Sequence, residues 1–418
     1  MKALKKLSLA AWIGIAMVLG IIVGLLLMNN PSFTTDILKP IGTIFLNLLK
    51  FIVVPIVLLS IIDGIISMKD IKKVGSVGWK TIVYYLCTTA VAILIGLLFA
   101  NLFKGSFVRL DTAGAEYEAA STSIMDTIVN IFPSNAVSPL VSANMLQIIV
   151  IALFVGFGIL MAGEKGEKFA DFIKSANEVF MKVMMFIIKL APIAVFCMMA
   201  WVIANQGAEI LGSLALVLGV AYLAYLVHMV VVYSIAVKTM GGMNPWTFFK
   251  GMFPAMAMAF SSTSSVATLP LTKECAEELG ADHGVSSFVL PLGATINMDG
   301  TAIYMGVCSI FIATCYGIEL TLGQMATIIL TATLASIGTA GVSGAGMIML
   351  AMVLESVGLP VAGIALILGV DRIFDMGRTT LNIVGDASCA IVVTKMEEKK
   401  AAKLAEKNQS KANAEAEA

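Results

Sequence analysis

The chain has 418 residues, 59% of them hydrophobic and only 13% charged, with 27 basic and 27 acidic side chains and a mean hydropathy of +0.95. So few charges exclude an ordinary soluble domain, in which about a quarter of residues are charged, and mark a polytopic membrane protein. A net charge of zero offers nothing to a nucleic acid, and six cysteines without a C-x-x-C pair indicate neither a disulfide framework nor a zinc site.

Residues 7–28 form an apolar run behind a basic start. The run is too long for a signal peptide and has no small-residue cleavage site, so it is expected to be an uncleaved first span. A second span is expected at 41–66, followed by Lys69, Lys72, Lys73 and Lys80, and a third at 81–103. Residues 104–144 are polar and read as an external loop with a short amphipathic helix at 124–132. Spans four to six are expected at 145–161, 179–204 and 210–237. Basic residues follow spans two, four and six but are scarce between them, so the positive-inside rule puts the N-terminus and the Lys-rich tail after Lys395 in the cytoplasm. His228 and His283 are far apart in the chain and read as structural residues rather than metal ligands.

The second half is interrupted. Residues 252–271 are two short apolar pieces broken by the serine-rich stretch 261–265, and 322–354 are two more, broken by the glycine-rich stretch 336–346. None of the four pieces can cross about 30 Å of hydrocarbon, so each pair predicts a re-entrant hairpin with its tip in the membrane. Between them, a span over 285–316 is broken at Asn297-Met298-Asp299-Gly300-Thr301. Interrupted segments in matching positions of two halves point to a transporter's binding site.

The last apolar run contains D-R-I-F-D-M-G-R-T-T-L-N-I-V-G-D over 371–386. On a helix Asp371, Asp375, Arg378, Asn382 and Asp386 share one stripe, roughly 80° wide and about 22 Å long. Each charge placed mid-bilayer costs roughly 2.5 to 3.5 kcal/mol, so this stripe must face protein or a wet cavity. Asp375 and Arg378 suit the ammonium and the side-chain carboxylate of an acidic amino acid, because guanidinium grips carboxylate through two hydrogen bonds. A self-neutralising intrahelical ion pair is the alternative. Asp299, Asn297 and Thr301 at the helix break suit an oxygen cage for Na⁺, and a half-helix cap is the alternative there. Asp386 with Asn382 offers a second cage.

Together the serine-rich tip, the N-M-D-G-T break, the G-T-A-G-V-S-G-A-G tip and the D-x-x-x-D-x-x-R-T-x-x-N-x-x-G-D helix resemble the glutamate transporter family, over nearly the whole chain. The resemblance implies an all-α polytopic membrane protein of eight transmembrane helices plus two re-entrant hairpins with inverted repeats, assembled as a homotrimer in a bacterial inner membrane. It implies a symporter, not an enzyme, that imports aspartate or glutamate with Na⁺ by an elevator movement; neutral amino acids, C4-dicarboxylates and proton coupling are the alternatives. Residues 1–80 and 105–206 would form a fixed scaffold, 81–104 and 207–396 the moving domain, and 397–418 a cytoplasmic tail. By resemblance Thr263, Ser264, Ser265, Thr301, Val342, Gly346, Asp375, Arg378, Thr379 and Asn382 bind the substrate. About three Na⁺ sites would draw on Tyr85, Thr88, Thr89, Gly293, Thr295, Asn297, Asp299, Ser336, Ile337, Thr339, Asn382 and Asp386. No organic cofactor is implied, and lipid is the surrounding partner.

Within that family, an acid at Asp375 favours an amino acid over a plain dicarboxylate, and an acid at Asp386 favours sodium over protons. One cation is missing. Archaeal members resemble this chain but carry Arg where Thr263 stands, and animal members carry it where Met376 stands; Arg372 is the candidate substitute.

Overall fold

The computed structural model describes residues 9–67, 75–109, 129, 132–207, 209–336 and 344–416, and every regular element among them is helical. The first half contains α1 (Leu9–Leu26), α2 (Lys39–Ser67), α3 (Ser76–Phe103), α4 (Met145–Ala162), α5 (Glu167–Ile188) and α6 (Ala191–Gln206). The second contains α7 (Glu209–Val227), which runs on through a π-helical turn, His228–Tyr233, then α8 (Pro245–Ser262), α9 (Ser265–Glu278), α10 (His283–Ile296), α11 (Asp299–Cys315), α12 (Leu322–Ala335), α13 (Ala345–Ser356) and α14 (Asp371–Ala416). Among the described residues, five helical runs are long and apolar enough to cross a membrane: Thr34–Ile66, Ser76–Ser106, Gln147–Ile188, Ile210–Thr239 and His283–Cys315. The expected helix at 124–132 lies outside the described residues apart from Val129 and Phe132.

Local chemistry sets the boundaries. Asn144, Asn244 and Asp282 each accept a backbone N–H from the first turn of α4, α8 and α10, and Thr321 with Gln324 forms a reciprocal capping box on α12. The fifth span differs from the expected continuous helix at 179–204. Pro192 has no N–H to give and its ring crowds the carbonyl four residues back, so α5 stops at Ile188 and α6 restarts at Ala191 with the proline in its first turn. Residues 167–178, between the expected fourth and fifth spans, form the first half of α5, with Ala170 and Ile173 buried. The tail after Lys395 continues α14 as helix to Ala416.

Polarity is inverted relative to a water-soluble protein. Leu94, Leu98 and Leu102 form an exposed apolar stripe on α3, while Asp299, Asp375, Arg378 and Asp386 are buried. Close approach of backbones joins the helices. A Cβ at Gly20 or Gly24 of α1 would lie 2.8 Å from the Phe196 carbonyl or 2.9 Å from the Ala200 carbonyl of α6. A Cβ at Gly96 of α3 would lie 2.8 Å from the Ile303 carbonyl of α11, so a larger residue would part each pair.

Helices α1, α2, α4, α5 and α6 pack on one another, and α3 packs with α7, α10, α11, α12 and α14. The paired helices α8–α9 and α12–α13 turn back on themselves, and α8, α9, α10 and α11 all lie along α14. The two groups meet chiefly where α12 and α13 rest on α2 and α4.

Candidate functional site

The break between α10 and α11 is wedged against α14. Gly300 leaves so little room that a Cβ there would collide with the Arg378 backbone. Its N–H donates to Asn382 Oδ1 at 2.8 Å, which closes one open end of α11 with a side chain from the facing helix. Asn297 Nδ2 donates to the Asn382 carbonyl at 3.0 Å and to Asp386 Oδ1 at 2.9 Å. The broken helix and the polar stripe are thus one hydrogen-bonded unit.

Arg378 lies at one end of that unit. Its Nε donates to Asp375 Oδ1 at 2.9 Å, its Nη1 to Asp371 Oδ1 at 3.2 Å, and its guanidinium carbon stands 4.6 Å from the Tyr304 ring centroid. Thr379 donates to Asp375 Oδ1 at 3.4 Å, and Arg372 Nη1 is 3.7 Å from Asp375 Oδ2. Nη2 of Arg378 is buried and has no hydrogen-bond partner among the described residues. Gly346 packs on the guanidinium, since a Cβ there would lie 2.5 Å from Arg378 Cζ and Nη1. The intrahelical pairing weighed from sequence is therefore present, and it leaves one donor face of the arginine spare.

Two further clusters lie along the unit. Asp299, fully buried, accepts the Thr89 hydroxyl on Oδ1 at 2.6 Å, and the Tyr233 hydroxyl at 2.8 Å and His228 Nε2 at 3.2 Å on Oδ2. Gly293 faces Asp386 and Tyr85, both of which an added Cβ would strike. Asn297 Oδ1 is buried without a hydrogen-bond partner among the described residues.

The remaining expected residues fall as follows. Tyr85 donates to the Val289 carbonyl at 3.1 Å, and Thr88 turns back to the Tyr85 carbonyl at 3.2 Å. Thr295 and Ser336 likewise bond carbonyls of their own helices, those of Leu292 and Thr333. Thr301 is buried in the first turn of α11, near the Met298 sulfur. At the first hairpin tip, Thr263 is buried and left-handed at φ +54°, Ser264 caps α9 through the Ala267 N–H, and Ser265 is buried. Val342, Ile337 and Thr339 lie outside the described residues. His228, Tyr233 and the clamp of Asp371 and Tyr304 on Arg378 were not among the residues expected from sequence. The signal for His228 was available: an ionisable side chain inside an apolar span is functional by default.

A family model described as the Sodium:dicarboxylate symporter family matches residues 9–396. The chain belongs to that family. It is 36% identical to the proton/sodium-glutamate symport protein of Geobacillus stearothermophilus, over 94% of this chain and 96% of that one. Against the proton/glutamate-aspartate symporter of Escherichia coli (strain K12) the identity is 36%, covering 94% of each chain. Against the C4-dicarboxylate transport protein of Bacillus subtilis (strain 168) it is 33%, over 91% of this chain and 92% of that one. The chain is accordingly a membrane symporter of a small-molecule solute.

Proposed function

We propose that the protein imports aspartate or glutamate together with Na⁺ by an elevator mechanism. The observation that carries the substrate reading is the buried Arg378 guanidinium with Nη2 unpartnered between two acids. A side-chain carboxylate takes the spare donors of Arg378, and the α-ammonium takes Asp375. Thr379, Asn382, Thr301, Gly346 and the first tip, Thr263 to Ser265, surround the α-amino and α-carboxylate groups, and Val342 belongs to the same substrate set. Asp375 beside the guanidinium offers a carboxylate for an ammonium, which suits a ligand bearing both charges over a plain dicarboxylate.

For the cations, Asp299, Thr89 and Asn297 with Tyr85 and Thr88 form one site, Asp386 with Asn382, Gly293 and Asn297 a second, and Thr295, Ser336, Ile337 and Thr339 a third, largely through backbone carbonyls. Carboxylate, hydroxyl, amide and carbonyl oxygens are the donor set of a hard cation.

Helices α1, α2 and α4–α6 would be the scaffold of a homotrimer, and α3 with α7–α14 the block that slides. In membrane terms the fold would be eight spans and two re-entrant hairpins, α8–α9 and α12–α13, related as inverted repeats, in a bacterial inner membrane with cytoplasmic termini.

Uptake of labelled aspartate into proteoliposomes under imposed Na⁺ or H⁺ gradients, competed with glutamate, serine and succinate, tests this reading. Sodium-driven uptake inhibited by glutamate is expected. Uptake driven by protons alone would overturn the sodium assignment, and inhibition by succinate rather than glutamate the amino acid.

A further inference from the structure

Two residues of α7 with no assigned role reach the deepest acid of the site. In an α-helix, side chains five apart point about 140° away from each other. The π-helical turn His228–Tyr233, with its i→i+5 hydrogen bonding, brings its first and last side chains to the same side. Their rings meet edge to face with centroids 4.9 Å apart. Both converge on one oxygen, Asp299 Oδ2, the phenol at 2.8 Å and the imidazole Nε2 at 3.2 Å. A carboxylate only accepts, so both groups donate.

The two oxygens of Asp299 therefore have different duties. Oδ2 is saturated by two donors from α7. Oδ1 accepts a single bond, 2.6 Å from the Thr89 hydroxyl, and keeps a lone pair, as do Thr89 Oγ1 and the orphaned Asn297 Oδ1. The far nitrogen of the imidazole, His228 Nδ1, is buried with no hydrogen-bond partner among the described residues, a cost that a side chain placed only for packing would avoid.

We propose that His228 and Tyr233 are positioning residues for the cation: by holding Oδ2 they aim Oδ1 of Asp299 at a monovalent cation, and so set its affinity without touching the ion or the amino acid. This rests on Asp299 being a sodium ligand. Outer partners of this kind orient the ligands that do the binding, as they do in other metal sites. The π turn is then the backbone device that lets one helix supply both donors.

The test is sodium-titrated aspartate uptake by the full-length protein in proteoliposomes, for wild type, H228A, H228Q and Y233F. Outer-shell partners typically account for ten- to hundredfold in metal affinity, so H228A and Y233F should raise the half-saturating Na⁺ about tenfold or more, with half-saturating aspartate at high Na⁺ moving less than about threefold. H228Q, whose amide nitrogen can donate near the place of Nε2, should return to within about threefold of wild type. Y233F keeps the ring and removes only the hydroxyl, so with H228Q it decides the matter if H228A does not fold.

Sodium titrations of Y233F and H228A that superimpose on wild type would overturn the proposal. So would equal losses of sodium and aspartate affinity in all three variants, which would mean packing alone. A wild-type protein indifferent to Na⁺ would instead remove the sodium reading beneath it.

Discussion

Arg378 is held where a charge is expensive, and its partners define what its loss would do. Asp375 and Asp371 neutralise it within its own helix, and Tyr304 supports it from α11. Arg378→Ala would leave Asp371 buried without its cation and Asp375 with Arg372 at 3.7 Å; breaking such a pair costs about 3 to 5 kcal/mol, and the pocket loses its donor for a carboxylate. Labelled aspartate uptake should fall more than about a hundredfold, while serine can still be admitted; unchanged aspartate uptake in sealed vesicles would defeat the assignment. Asp386 sits two turns along, 2.9 Å from Asn297 Nδ2. Asp386→Asn keeps the shape and removes the charge, so half-saturating Na⁺ should rise about tenfold, equivalent to ~1.4 kcal/mol. A sodium titration that does not move would count against that site.

Among the elements, the broken ones do the positioning. An intact α10–α11 would have no free N–H at Gly300 for Asn382 and would not bring Asn297 to Asp386. The second hairpin reaches the arginine through a residue without a side chain. Gly346→Ala puts a methyl 2.5 Å from the Arg378 guanidinium carbon, so the side chain must move aside. Overpacking of this kind costs about 1 to 3 kcal/mol, roughly five- to 150-fold in aspartate affinity. Isothermal titration of the purified protein at saturating Na⁺ reads it directly, and an affinity equal to wild type would show that the second hairpin stands away from the bound amino acid.

For the whole molecule the decisive quantity is how many charges move. Aspartate carries about one net negative charge, so a first Na⁺ cancels its voltage term, and each further one adds roughly 2.3 kcal/mol per 100 mV. The three proposed cation sites therefore predict that uptake into proteoliposomes accelerates when the interior is made negative. Uptake insensitive to an imposed potential would mean one cation per substrate, and two of the proposed sites would have no place in the cycle.

Much of this protein was legible in the order of its residues. Long apolar runs must become helices because lipid satisfies no backbone group, so most helices could be placed from hydropathy and length alone, and the short paired pieces appear as α8, α9, α12 and α13. The stripe from Asp371 to Asp386 likewise follows from helical periodicity. The break after Ile188 was missed because hydropathy carries no penalty for Pro192, which acts through the backbone. His228 was set aside because one histidine in an apolar run has no visible partner, and its partner, Asp299, lies 71 residues away. Which polar groups share a carboxylate, and which donor of Arg378 is left over, depends on helix rotation and on a π turn; packing sets both, and neither leaves a period in the sequence.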